Sequence, residues 1–194
     1  MKTVYDSDDI PEVSILDYYP TRIQETIKLS PIQLISSQFV LDFKNGHRPA
    51  SLLAAKIVAE VLSAHFDLDQ GVQVVFIPIP ASSREDTEKR YHLFSYLVGK
   101  HCNVEDGHLW VNNWHETKKK HLSRDEDFIQ DMRERWYVDY KRIKGARVII
   151  FDDVKTRGTT SNHFIRRLQE CGAEVIGKVF LSKTYFLKEH QATD

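Results

Sequence analysis

The chain has 194 residues, 41% of them hydrophobic and 28% charged, and a formal net charge of −1. That is one domain's length with apolar material for a substantial core, and the near-neutral balance excludes the broad basic field of a general nucleic-acid binder, although local basic clusters keep such a partner open. The two cysteines, Cys102 and Cys171, exclude a disulfide framework and a thiolate metal cluster, and no apolar run approaches the ~18 residues of a membrane-crossing helix.

The chain begins "MKTVYDSDDIPE", acidic and polar, which is not a signal peptide. A reducing, cytoplasmic setting without membrane attachment is therefore expected. Residues 1–45 lack a clean period and read as an N-terminal extension of one domain spanning 1–194. Within "SSQFVLDFKNG", Phe39, Leu41 and Phe43 alternate with polar residues and Asn45-Gly46 follows, which predicts a strand and a turn. The core of the domain is expected over 46–185. It opens with an amphipathic helix in "RPASLLAAKIVAEVLSAHF", with Leu53, Ile57 and Val61 on one face and Ala54, Val58 and Leu62 beside them.

"VQVVFIPIP", residues 72–80, is an almost unbroken run of β-branched and apolar residues, as suits a parallel strand buried on both faces. "SSRE" follows, where Ser82 and Glu85 form a candidate capping box for a helix through about His101, with Leu93, Tyr96 and Leu97 inward. A short strand is expected at 108–111. Residues 112–145 are densely charged with isolated aromatics, and read as a long mobile excursion with some helix or hairpin. "ARVIIFDD" predicts another strand, "TTSNHFIRRLQECGA" a helix with Ile165 and Leu168 inward that Gly172 stops, and "EVIGKVFLSKT" a last strand. Strands alternating with helices predict an α/β fold with a central parallel sheet flanked by helices. The nine histidines show no HExxH or similar pair.

"VIIFDDVKTRGTT", residues 148–160, concentrates the chemistry. Ligands of open parallel sheets bind outside the carboxyl ends of the strands, and Asp152 and Asp153 stand at such an end. The loop after them enters a helix N-terminus, whose free amides and dipole favour a phosphate. Gly158 allows a positive φ or a close backbone approach, and Thr156, Thr159 and Thr160 add hydroxyls. One loop thus offers acceptors for sugar hydroxyls at its start and donors for a phosphate at its end, an arrangement that fits ribose 5-phosphate. The alternative is that the acids only cap a strand end. There is no GxxxxGK[ST], no GxGxxG after a strand, and Val154 stands where a D-x-D phosphoaspartyl motif needs its second aspartate.

This stretch resembles the phosphoribosyl-diphosphate signature of the type I phosphoribosyltransferases: four apolar residues, two acids, a small apolar residue and a Thr/Gly loop. Arg157 stands where that family usually has Thr or Gly, at a position that contributes mainly its backbone amide. "DFKNGHRPASLLAAKIVAEVL", "FIPIPASSREDTEKRYHLFSYLV" and, loosely, "ETKKKHLSRDED" are similar to segments of the ComF-like and amidophosphoribosyltransferase-like branch. The resemblance covers roughly 38–184. It implies the type I phosphoribosyltransferase fold with a small N-terminal hood, formed here by residues 1–45.

It also implies an activity: transfer of ribose 5-phosphate from phosphoribosyl diphosphate to an unidentified nitrogen acceptor, with pyrophosphate leaving and Mg²⁺ as the cofactor. Asp152 and Asp153 would hold the ribose hydroxyls directly or through metal-bound water, with no direct protein ligand to the metal required. Thr156, Arg157, Gly158, Thr159 and Thr160 would hold the 5-phosphate. Ala81, Ser82, Ser83 and Arg84 would form the pyrophosphate loop, a reading compatible with an ordinary helix cap. Arg90 reads as a solvated helix arginine within reach of the pyrophosphate, and Lys118, Lys119 and Lys120 as a solvated face or a closing lid. Trp110, Trp114 and Trp136 read as packing residues before base-stacking ones, and Cys171 as a buried helix residue. The second function class is a non-catalytic regulator that keeps the ribose-phosphate pocket, or a ComF-type protein associated with DNA uptake. A homodimer is left open.

Overall fold

A computed structural model describes residues 9–68, 71–113 and 136–186. The apolar runs become the strands that carry the domain: β2 (Val74–Pro78), β6 (Arg147–Lys155) and β7 (Glu174–Thr184). Together with β1 (Glu12–Tyr18) and β3 (Glu105–Asp106) they form a five-stranded sheet in the order β1-β7-β6-β2-β3. Every neighbouring pair is parallel. Among the described residues no helix is long and apolar enough to cross a membrane.

Continuous apolar strands need cover on both faces. Val75 and Ile77 of β2 and Val148 and Ile150 of β6 turn to one face. There they meet Phe164, Ile165 and Leu168 of α6 (Thr159–Glu170). Val74, Phe76, Ile149 and Phe151 turn to the other face. That face is covered by α2 (Pro31–Lys44), α3 (Arg48–His65) and α4 (Arg84–Cys102), which bring Phe43, Val58, Leu62, Tyr91 and Phe94. Phe94 and Phe151 lie with ring centroids 4.7 Å apart. Gly177 of β7 lets the ring of Phe66 close the end of α3 against the sheet, because a Cβ at Gly177 would run into that ring. The short helices are α1 (Thr21–Gln24) and α5 (Tyr140–Ile143).

The expected strand at "QFVLDF" is helical. Ser30 caps α2 in a reciprocal pair with Gln33, with Pro31 in the first turn. The buried residues are Ser37, Val40 and Phe43, a helical spacing that outweighs the alternation of Phe39, Leu41 and Phe43. The residues expected to form a hood do not stand apart where they are described: β1 adds an edge to the sheet beside β7, and α2 packs on one face. In α3 the buried stripe is Ala54, Val58 and Leu62, while Leu53 is 51% exposed. In α4 it is Tyr91, Phe94 and Val98, while Tyr96 is exposed. The cap of α4 is Ser83, which accepts from the Asp86 amide, not a Ser82–Glu85 box.

The strand expected at 108–111 is displaced to β4 (Val111–Asn113), which pairs antiparallel with β5 (Trp136–Val138). This hairpin and α5 are the described ends of the charged excursion. Trp110 and Trp136 are buried in the core on the α6 side, with Trp136 edge-on to Phe164 at 4.9 Å. Trp114, Lys118, Lys119 and Lys120 lie outside the described residues.

Candidate functional site

The sheet order places the site. From β2 the chain crosses through α4 to β3 on one side; from β6 it crosses through α6 to β7 on the other. β2 and β6 are neighbours, so the two connections diverge between them. A crevice opens at that point, outside the carboxyl ends of the strands. The loop over 79–83 forms one bank, and the Ile79 amide donates to the Phe151 carbonyl at 2.8 Å. The loop over 156–158 begins the other.

A cavity of about 240 Å³ lies at the end of β6. It is lined by Asp152, Val154 and Lys155, by Thr156, Arg157 and Gly158, by Thr159, Thr160 and Ser161 at the start of α6, and by Phe180 of β7. Six of these ten lining residues, counted from that lining, are ones the sequence singles out: Asp152, Thr156, Arg157, Gly158, Thr159 and Thr160. Val154, Lys155, Ser161 and Phe180 are additions. Lys155 stands inside the signature stretch, which was the available signal; Phe180 comes from a neighbouring strand and has none.

Gly158 has φ 76° and precedes α6. A Cβ there would meet only ordinary contacts, the nearest Lys155 Cε at 3.5 Å, so the left-handed backbone, not crowding, calls for glycine. No side chain caps α6, and the Ser161 hydroxyl donates backwards to the Gly158 carbonyl at 2.8 Å. The first-turn amides of α6 are thus left for another acceptor, on the wall of a cavity also lined by hydroxyls.

β6 runs past the acid pair to Lys155, so Asp152 and Asp153 alternate across the sheet. Asp152 faces the cavity. Asp153 is buried on the α4 side, where its carboxylate accepts from Arg90 Nη1 at 2.8 Å. Arg90 also donates to the Lys44 carbonyl at 3.0 Å. The expectation of a solvated arginine is thus corrected: its side chain is only 11% exposed, held by a carboxylate that the inward-facing register of β6 supplies. The Asp153 amide donates to Asp152 Oδ1 at 2.9 Å. Burial, with the Asp153 charge beside it, holds the Asp152 carboxyl well above the usual carboxylate range.

Lys155 is paired with Glu12 of β1, which also meets Lys178 at 3.3 Å. Burial would raise the Glu12 carboxyl, but the Lys155 hydrogen bond and the two ammonium charges outweigh it and bring it below its ordinary value. Ser82, Ser83 and Arg84 lie on the other bank of the crevice and do not line this cavity. Ser83 donates to Asp86 at 2.8 Å, and the Ala81 amide donates to the Thr87 hydroxyl at 3.0 Å. Arg84 is exposed. Cys171 is buried at the end of α6.

No family model and no curated protein matches the chain. Among solved structures it is similar to one described as the "structure of the allosteric regulatory enzyme of purine biosynthesis", with 19% sequence identity and a TM-score of 0.46 over 75% of this chain and 30% of that chain.

Proposed function

We propose that the chain is a phosphoribosyltransferase of the type I kind, on its ComF-like or amidophosphoribosyltransferase-like branch, that uses phosphoribosyl diphosphate and Mg²⁺. One observation carries this reading: a single cavity is lined both by Asp152 and by the uncapped, hydroxyl-bearing start of α6. The first suits sugar hydroxyls and the second suits a phosphate monoester. The ribose 5-phosphate would lie between them, with the pyrophosphate directed across the crevice towards Ser82, Ser83 and Arg84.

In the reaction the bond from ribose C1 to the pyrophosphate oxygen breaks, a bond to the acceptor nitrogen forms, and that nitrogen releases a proton. Charge develops on the ribose ring as in glycoside cleavage, so the work of the chain is positioning and charge stabilisation. Mg²⁺ takes oxygen ligands and keeps waters, and Asp152, the carboxylate open to the cavity, fits that requirement. Bound there with the substrate, the ion would offset pyrophosphate charge.

The Asp153–Arg90 pair favours a second reading. A carboxylate already held by a buried guanidinium is not free for a ribose hydroxyl, so a regulator that binds ribose phosphates without transfer fits the same pocket.

Calorimetric titration with phosphoribosyl diphosphate and Mg²⁺, followed by a screen of nitrogen acceptors for pyrophosphate release, separates the readings. Binding with release supports the transferase; binding with no release from any acceptor supports the regulator; no binding of phosphoribosyl diphosphate or ribose 5-phosphate sinks both. Asp152→Asn should weaken phosphoribosyl diphosphate binding roughly tenfold to a hundredfold, as expected for a lost charged hydrogen bond, and leave inorganic phosphate binding unchanged or tighter. Gly158→Val, strained at that φ, should weaken both.

A further inference from the structure

On the far side of β2 from the cavity, three residues that the proposed function does not use converge. Glu88 and His92 stand four residues apart on α4, hence on one face of the helix. His108 follows β3 and is 7% exposed. One ligand atom from each of the three lies within 4.8 Å of the others. The rings of His92 and His108 are 5.4 Å apart and edge-on, and His92 Nδ1 is 3.7 Å from Glu88 Oε2.

The buried histidine is oriented from behind. Its Nδ1 lies 2.8 Å from Asp106 Oδ1, and that carboxylate is itself fixed by the Ser95 hydroxyl at 2.6 Å and the His108 amide at 3.1 Å. A proton on Nδ1 donated to Asp106 leaves the Nε2 lone pair outward. Nε2 is buried and has no hydrogen-bond partner among the described residues. A carboxylate behind one imidazole nitrogen, with the other nitrogen free, is how metal-binding histidines are held. An ordinary core histidine would satisfy both nitrogens.

We infer that Glu88, His92 and His108 bind a first-row divalent cation, with Zn²⁺ as the best match. Two imidazoles and one carboxylate select against Mg²⁺ and Ca²⁺, which prefer all-oxygen shells. Three protein ligands with a fourth position for water is a common zinc arrangement. Ligands about 2 Å from a tetrahedral ion sit roughly 3.3 Å apart, so small rotations of the exposed His92 and the half-buried Glu88 close the set around the fixed His108. The bound ion would join α4 to the segment that runs from β3 to the β4–β5 hairpin, whose Asn113 donates to the Ala81 carbonyl on the crevice bank. The site is separate from the ribose-phosphate cavity, and the inference goes beyond the function proposed for that cavity.

The test is calorimetric titration of the metal-stripped full chain with Zn²⁺, with thermal unfolding read in parallel. The expected result is one equivalent bound in the presence of excess Mg²⁺, with a higher melting temperature that a chelator reverses. His92→Asn and Glu88→Gln should each lower Zn²⁺ affinity at least about tenfold, and Asp106→Asn about tenfold to a hundredfold through loss of the support behind His108. His108→Asn should abolish stoichiometric binding. If that core variant fails to fold, His92→Asn decides, because that ring is 71% exposed. No Zn²⁺ binding by the parent, or parent-like binding by both His92→Asn and Glu88→Gln, overturns the inference.

Discussion

Asp152 is a carboxyl group placed where its charge is disfavoured. Burial and the neighbouring Asp153 raise it well above the ordinary value of 3.8. A folded-state pKa raised above the unfolded one gives a contribution that is fully present below about 3.8 and is lost as pH rises through the folded value. Near neutrality, without a cation or ligand, this carboxyl group is therefore a cost to the folded state. Asp152→Asn keeps the shape and still accepts from the Asp153 amide. Thermal melts in chelator should show this variant melting above the parent at pH 7, with the gap closing below pH 4; a parent that melts higher at pH 7 would refute the account. The sequence identifies the acid pair but not its separation. Adjacent residues on a strand point to opposite faces, so everything depends on where β6 ends. The "VK" after the acids, which carries the strand on to Lys155, held that information, but a turn-rich "TRGTT" immediately beyond makes an earlier end equally readable.

Elements show the same division. β2, β6 and β7 are legible because strands buried on both faces carry nearly continuous apolar runs. α2 reads as a strand because Phe39, Leu41 and Phe43 satisfy a period of two, although "SPIQ" upstream carries the Ser–Gln cap and first-turn proline of a helix start. How α4 is fastened to β6 is not legible at all, since Arg90 and Asp153 are 63 residues apart, and the sequence reads one as a solvated helix arginine and the other as a ligand for ribose hydroxyls. That ion pair is shielded on both sides. Removing one partner of a buried pair strands the other charge and costs about 3–5 kcal/mol, whereas replacing both with apolar groups of similar size is close to neutral. Denaturant unfolding of Arg90→Met, Asp153→Leu and the double variant should thus be strongly non-additive, with the double variant more stable than either single one. Additive losses would mean that the two groups are solvated independently.

At the scale of the molecule, the described part of the N-terminal segment supplies one edge of the sheet. β1 gives no clear signal in the sequence because an edge strand is covered incompletely: "EVSILDY" is mostly half-buried and mixes apolar with polar residues. Yet Glu12 on that edge reaches Lys155, 143 residues away, and Lys178 on β7. Glu12 therefore ties the sheet edge to the cavity wall and engages Lys155, the one lysine among the described residues that line the cavity. Its carboxyl is lowered below 4.5, so its contribution is present above that value and lost as pH falls through the folded pKa. Glu12→Gln should cost up to about 1 kcal/mol at pH 7, the scale of a solvent-screened ion pair, and the deficit should shrink in acid. Lys155, released, would turn its ammonium to the cavity, so ribose 5-phosphate should bind several-fold more tightly to the variant at low ionic strength, and less so as salt screens the added charge. Urea unfolding from pH 3 to 7 and calorimetry at two salt concentrations measure both effects. Parent-like stability together with parent-like affinity would show that β1 neither braces the sheet through Glu12 nor restrains the lysine at the site.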